Sequence, residues 1–436
     1  MSQALKTQKE ILQKLQITAL NEMQLEAQAA IHGNKEVMLL SPTGSGKTLA
    51  FLLPIIAELN SENNEVQVLI LVPSRELAIQ IEQVAREMGT GYKVNAVYGG
   101  RMMSKDKIEL KHNPAILVGT PGRVADHIRR NTFDPNKITT LVLDEFDKSL
   151  EIGFEDDMEE IISSLKHVKK KVLTSATNET EVPKFVKLSD PKVIDYSKTG
   201  VKKLQIKRII SPEKDKLDTL VKAICHLGNQ PGIIFCNYKE SINRVSDYLD
   251  EHDINHGCFY GGMDQKDRER ALIKFRNGTH QIIIATDLAA RGLDVPEIKF
   301  IIHYHLPLRS QEFVHRNGRT ARMHMDGTAY ILQWAEEILP EFIDEAEIEE
   351  LTDAETPKPS KWKTVFISGG RKDKISKGDI AGLFLKQGGL EKDELGAIEL
   401  KQDCAFVAIR SSKVKDAINQ TDNTRLKKKK VRIRLI

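Results

Sequence analysis

The chain has 436 residues, 40% apolar and 29% charged, enough for about three globular domains each with its own core. It holds no apolar run long enough to span a membrane, and its opening MSQALKTQKE lacks an apolar signal core, so membrane insertion and secretion are not expected and a cytoplasmic location is. The net charge of +3 hides an imbalance: from Lys361 onward 19 Lys/Arg stand against 9 Asp/Glu, a net +10 that leaves −7 on residues 1–360 and points to a polyanion such as nucleic acid.

Early in the chain, the apolar stretch Val37 to Leu40 leads into SPTGSGKT at 41–48 and a helical run from Thr48. Strand, Gly-rich turn and helix in that order make a phosphate-binding loop. Gly44 and Gly46 allow the tight turn, and the N–H groups of Thr43, Gly44, Ser45 and Gly46 face phosphate oxygens beside the positive end of the helix. Lys47 reaches the β- and γ-phosphates, and Thr48 offers a hydroxyl to Mg²⁺. Further on, the apolar run Ile138 to Leu143 ends in Asp144, Glu145 and Asp147, at the strand end where open α/β sheets place ligands. Asp144 suits the Mg²⁺ shell, through water, and Glu145 suits the proton of a water attacking the γ-phosphate.

From Val37 to about Asp195, short apolar strands (Val68 to Val72, Ala115 to Val118, Thr140 to Leu143, Lys171 to Leu173) alternate with helical stretches. Such alternation predicts a parallel sheet covered on both faces. A second αβ series runs from about Asp215 to Ala335, with strands at Gly232 to Phe235, Gln281 to Ala285 and Phe300 to His303. Tyr196 to Lys207 reads as one linker and Glu337 to Pro359 as another, extended and without a core. Cys225, Cys236, Cys258 and Cys404 lack C-x-x-C spacing and read as reduced thiols. His303 and His305 share a strand face, but no Cys or carboxylate joins them at ligand spacing, so no metal is assigned there.

Ten segments stand in a telling order: MQ at 23–24, SPTGSGKT, PSRELA at 73–78, GG at 99–100, TPGR at 120–123, DEFD at 144–147, SAT at 175–177, IIFCN at 233–237, ATDLAARGLD at 285–294 and HRNGRTAR at 315–322. Residues 18–335 thereby resemble the two-domain core of DEAD-box RNA helicases, within helicase superfamily 2. The resemblance implies two RecA-like doubly wound parallel-sheet domains, an α/β fold, at 1–198 and 208–336. It also implies roles for single residues. Gln24 reads the adenine edge and Asp294 contacts the ATP ribose. Asp147, Ser175, Thr177 and His315 couple the γ-phosphate to the domains, while Arg319 and Arg322 act as arginine fingers. Pro73, Arg75, Gly100, Thr120, Gly122 and Arg123, with Gln265, Arg268 and Thr286 of the second domain, contact an RNA backbone. Three departures stand out: Phe146 replaces the Ala of the family name, residues 1–50 hold no Phe, Tyr or Trp to stack on adenine, and the lead-in to Gln24, ITALNEM, is degenerate.

Beyond a linker at 337–361, residues 362–436 show the order βαββαβ of an RRM-like α+β domain. The string GGRKDKISKGDIAG at 369–382 is similar to the RNA-binding domain of DbpA-type helicases. Phe366 and Phe406 occupy two base-stacking strand positions, but Cys404 and Ile409 replace others, so the basic loop of Arg371, Lys372 and Lys374 is expected to carry much of the contact, extended by KKKKVRIR at 427–434. The whole reads as a monomeric ATP- and Mg²⁺-dependent RNA helicase acting on structured ribosomal RNA. Two rivals are a non-unwinding ATP-gated RNA clamp and a DNA helicase of the same superfamily.

Overall fold

Runs such as VLIL at 68–71 and TLVL at 140–143 show no polar alternation, so their strands must be covered on both faces. The computed structural model describes residues 6–42, 44–151, 153–176, 181–197, 204–287, 298–320, 327–343 and 346–436. They fall into two compact units, one holding the described residues up to 197 and the other those from 204 onward.

In the first unit, β1 (Glu36–Leu40), β2 (Val68–Leu71), β3 (Val94–Val97), β4 (Ile116–Gly119), β5 (Thr140–Leu143), β6 (Lys170–Ser175) and β7 (Lys192–Asp195) form a seven-stranded parallel sheet in the order β3-β4-β2-β5-β6-β1-β7. Side chains alternate between its two cores. Val68 and Ile70 pack with the helices Glu22–Gly33 and Lys47–Ala57, whereas Leu69 and Leu71 pack with Val124, Met158 and Ile161 on the opposite face.

The second unit repeats this order strand for strand. Its parallel sheet of β8 (Leu204–Ser211), β9 (Gly232–Phe235), β10 (His256–Phe259), β11 (Ile282–Ala285), β12 (Phe300–His303), β13 (Gly327–Trp334) and β14 (Glu347–Ile348) runs β10-β11-β9-β12-β13-β8-β14. Both sheets are RecA-like, as expected. The two linker expectations need correction. β8 already begins at Leu204, inside the stretch read as a linker to Lys207, because it pairs with β13 while Ile209 buries and Ile206 packs half-buried against the neighbouring core. Glu337 to Pro359 is largely extended but does more than tether. Glu347 and Ile348 pair with Lys207 and Arg208, Glu349 accepts Lys207, and Thr352 bonds His226 at 2.8 Å.

The C-terminal residues fold as a four-stranded antiparallel sheet of β15 (Trp362–Ile367), β16 (Leu395–Leu400), β17 (Ala405–Arg410) and β20 (Ile433–Leu435), in the order β16-β17-β15-β20. The helices Lys377–Lys386 and Val414–Thr421 cover one face, so the βαββαβ expectation holds. Residues 427–428 form the turn of a hairpin between β18 (Arg425–Leu426) and β19 (Lys429–Lys430). Among the described residues no helix is long and apolar enough to cross a membrane.

Candidate ATP site and RNA-binding loops

β1 ends at Leu40 and leads into Ser41, whose N–H donates to the Ser175 carbonyl at the end of β6 (3.0 Å). The loop that follows turns through Gly44 and Gly46, with φ of 82° and 92°, where a β-carbon would be strained. Ser41, in place of the usual Gly, donates its hydroxyl to Ser45 Oγ at 2.8 Å and so braces the loop. Lys47 opens the helix and folds its ammonium back onto the Ser41 and Pro42 carbonyls, the second at 3.2 Å. Lys47 and Thr48 form the first turn of the helix Lys47–Ala57. Gln24 does more than expected. Its Oε1 accepts the Asn21 N–H (3.0 Å), and its Nε2 donates to the Gly46 carbonyl (3.2 Å). Both ends of the carboxamide that was to read adenine are engaged, tying the helix Glu22–Gly33 to the phosphate loop.

Beside this loop, β5 delivers Asp144 and Glu145, both buried, with Glu145 at φ +50°. Thr174 lies opposite Asp144, one step past the Leu143–Leu173 pair. Its hydroxyl donates to Asp144 Oδ1 and accepts the Glu145 N–H (3.2 Å). Burial, then the Glu145 charge, push the Asp144 carboxyl up to about 6, against the pull of Thr174 and Lys47. Asp147 is buried with Lys148, whose ammonium is 3.6 Å away. Phe146 is 2% exposed and packs in the core with Leu143, Leu173 and Val186, so the ring replacing Ala points away from the phosphate loop side and fills the sheet's other face. The hydroxyl that the strand carries to Asp144 is Thr174, one residue ahead of SAT, which motif reading passed over. Thr43, Thr177, Asp294 and Arg322 lie outside the described residues.

On the same strand ends of this unit, Pro73 precedes the helix Arg75–Met88, capped by Ser74 Oγ on the Leu77 N–H (3.2 Å). The Arg75 guanidinium lies against Gly99 and Gly100: a β-carbon on Gly100 would stand 2.6 Å from its Nη1. Thr120 stands at the N-cap of the helix Pro121–Arg129, its carbonyl accepting the Arg123 and Val124 N–H groups (3.0 Å each), which places Gly122 and Arg123 on the first turn. Arg123 departs from expectation. Its guanidinium turns inward to Asp106 (Nε to Oδ2, 2.8 Å) and the Arg101 carbonyl (2.7 Å). Asp106 is fully buried and also meets Arg101 and His127 at 3.2 Å each. Burial alone would raise its carboxyl, but bonds from His127 and Arg123 hold it below the usual carboxylate range. Asp106 thus braces the loops at 99–101 and 120–123, and no motif announced it.

In the second unit Gln265 opens the helix Gln265–Arg276, and the Arg268 guanidinium sits 4.6 Å from the Phe259 ring and donates to the Tyr260 carbonyl (3.4 Å). Thr286 joins them through its N–H to the Phe259 carbonyl (3.3 Å). His315 and Arg319 are buried at the end of the helix Ser310–Asn317, with Arg319 Nε on the His315 carbonyl (3.4 Å). Arg316, between them and unassigned by sequence, is 1% exposed. It pairs with Asp287 (2.6 Å) and donates to Asn237 Oδ1 and the His305 carbonyl (2.7 Å each), joining IIFCN, ATDLAARGLD and HRNGRTAR. His303 bonds Asn317 (3.0 Å) and stacks near Phe235, and burial followed by the Arg316 charge lowers it to about 3, so it stays neutral and structural.

The DEAD/DEAH box helicase family model matches residues 21–185, the helicase conserved C-terminal domain 215–324, and the DbpA RNA binding domain 364–435. ATP-dependent RNA helicase DbpA of Bacillus subtilis is 32% identical over 439 residues, covering 92% of this chain and 91% of that protein. This chain belongs to the DEAD-box RNA helicases of the DbpA type. The Escherichia coli DbpA helicase is 30% identical over 98% of both chains. Among solved structures, S. cerevisiae Dbp5 bound to RNA and ADP BeF3 is similar, at 27% identity and a TM-score of 0.68 over 76% of this helicase and 88% of that chain. The helicase is therefore an RNA-dependent ATPase that uses ATP and binds RNA.

In its C-terminal domain Arg371, Lys372 and Lys374 are exposed on the turn Arg371–Asp373 and its cap. That turn is fixed: Arg371 and Lys372 donate their N–H groups to the Lys401 and Gln402 carbonyls (3.0 and 2.9 Å). Lys429 of the hairpin reaches Asp373, and Lys427 reaches Asp379, each at 2.9 Å, so the hairpin is bonded to the basic face.

Proposed function

We propose that this helicase separates short RNA duplexes by local strand separation, acting on structured ribosomal RNA during ribosome assembly, as a cytoplasmic monomer. The division of labour is an ATP-binding domain at 1–198, a second helicase domain at 208–336, and an RNA-binding domain at 362–436 reached through 337–361. The reading rests on one conjunction: a phosphate loop facing a buried Asp144–Glu145 pair, in one chain with a DbpA-type domain whose basic turn is exposed.

Lys47 and the loop N–H groups bind the phosphates. Glu145 accepts the proton of the attacking water, and Arg319 and Arg322 stabilise charge on the transferred phosphoryl group when the domains close on ATP and RNA. The hydroxyl of Thr48 and the carboxylate of Asp144 are hard oxygen donors that fit Mg²⁺, and the crowding that raises Asp144 is what a cation relieves. When bound, Mg²⁺ would neutralise phosphate charge. Closure favours a bent single strand on Arg75, Gly100, Thr120, Gln265, Arg268 and Thr286, which expels the complementary strand. Arg371, Lys372 and Lys374 anchor the structured RNA.

Parallel assays of ATPase stimulation and strand release on ribosomal RNA fragments, unstructured RNA and DNA test this. Stimulation and release with RNA alone are expected. ATP turnover without release would mark the clamp instead, and equal stimulation by DNA would mark the DNA helicase.

A further inference from the structure

The C-terminal sheet has two faces, and only one is covered by its own helices. Val365 and Ile367 of β15, and Ala405, Val407 and Ile409 of β17, point into that core. By strand alternation Trp362, Thr364, Phe366, Phe406, Ala408 and Arg410 share the other face. In RRM-type domains this open face stacks bases. Here much of it is already occupied.

Its occupant is the far end of the helix Gln265–Arg276. Thr364 is fully buried, and its hydroxyl meets Thr279 Oγ1 at 2.7 Å and the Asn277 amide at 3.3 Å, both residues also buried. Arg276 bonds Glu399 at 2.8 Å, and Lys401 bridges Glu399 and Glu269 at 2.8 and 2.9 Å. Ser360 donates to the Gly278 carbonyl, where φ is +71° and the Trp362 ring lies close. Gly396 leaves room for the indole, since a β-carbon there would stand 3.1 Å from the ring. Phe406 is 4% exposed. Buried hydroxyls flanked by partly exposed ion pairs favour one geometry, because an undocked face would leave the hydroxyls to find new partners.

We propose that the C-terminal domain and the second helicase domain act as one composite RNA-binding body, joined through the sheet face that would otherwise stack bases. Lys401 shows how closely the parts are tied. Its side chain reaches Glu269, one residue beyond Arg268, while its carbonyl holds the Arg371 N–H. The basic anchor at Arg371–Lys374 is thus held at a fixed offset from Gln265 and Arg268, and a structured RNA gripped there is presented in register to the helicase core. The inference rests on the RNA-anchoring role given above to that basic turn.

Two variants of the full chain test it, with Cys225, Cys258 and Cys404 changed to Ser. Thr279→Cys with Thr364→Cys should form a disulfide in high yield without RNA, and the locked protein should keep its affinity for a ribosomal RNA hairpin within about twofold. Thr364→Arg with Glu399→Arg should undock the domain. Both positions lie off its own core, so its hairpin affinity should persist. ATPase with unstructured RNA should also persist. On hairpins joined to a short duplex by spacers of graded length, the wild type should unwind best at one spacer, and the undocked variant should lose that optimum and about tenfold in peak rate, as effective concentration falls. Poor disulfide yield, lost hairpin affinity on locking, or an unchanged spacer optimum on undocking would overturn the proposal. A wild type that does not bind the hairpin would instead refute the anchoring role, leaving the disulfide to report on docking.

Discussion

Replacing Thr174 by Val, of nearly the same shape, removes the hydroxyl that donates to Asp144 Oδ1 and accepts the Glu145 N–H. A hydrogen bond to a charged group contributes about 1.5–3 kcal/mol. If that loss falls on the ionised form of Asp144, at about 1.4 kcal/mol per pH unit, its carboxyl rises by about one to two units. Asp144 already stands near 6 because burial and Glu145 oppose its charge. The folded protein therefore holds a proton that the unfolded chain has lost, and this residue's contribution to stability falls as pH rises from the ordinary carboxylate value through about 6. Activity runs the other way, since the carboxylate is the useful form. In RNA-stimulated ATPase assays from pH 5 to 9 the acid limb of Thr174→Val should lie about one unit or more above that of the wild type. Alkaline pH should recover much of the rate, and Thr174→Ser should restore the limb. An unmoved limb with an unchanged rate would refute the coupling of Thr174 to Asp144.

Glu145→Gln should retain ATP and RNA binding while hydrolysis falls by about 10²-fold or more, read by nucleotide titration and steady-state turnover. Arg316→Ala removes a buried guanidinium and leaves the half-buried Asp287 carboxylate and Asn237 Oδ1 without their partner, and should destabilise the second unit by about 1–3 kcal/mol, seen as a lowered denaturant midpoint. Gln24→Ala should loosen the phosphate loop as well as base choice, because its amide is bonded to Gly46, so ATP and GTP affinities should both fall in side-by-side titrations.

The parallel strands at the centre of both sheets were legible because a strand buried on both faces is an unbroken apolar run. The segments 140–143, 232–235 and 300–303 coincide with β5, β9 and β12. Edge strands were harder. β7, KVID, is exposed at three of its four residues, and β14 is two residues in an acidic stretch, so neither carries a periodic signal. The phosphate loop and acidic pair were legible from chemistry tied to spacing. Thr174 was not, because a strand threonine acquires its role only from the register of β6 against β5. Nothing in the local sequence marks Arg316 or Asp106 as buried, and their burial depends on partners distant in sequence. The docking of Thr364 on Asn277 and Thr279 had no signature at all, since three polar residues become an interface only when the fold brings them together.

The central claim, ATP-driven strand separation guided by the C-terminal anchor, is tested most directly by strand release from a short duplex tethered to a ribosomal RNA hairpin. Wild-type protein should release the strand only with ATP, Glu145→Gln should bind the RNA without releasing it, and Arg371→Ala with Lys374→Ala should need more RNA for the same rate. Hydrolysis by the wild type with no strand released would contradict the account.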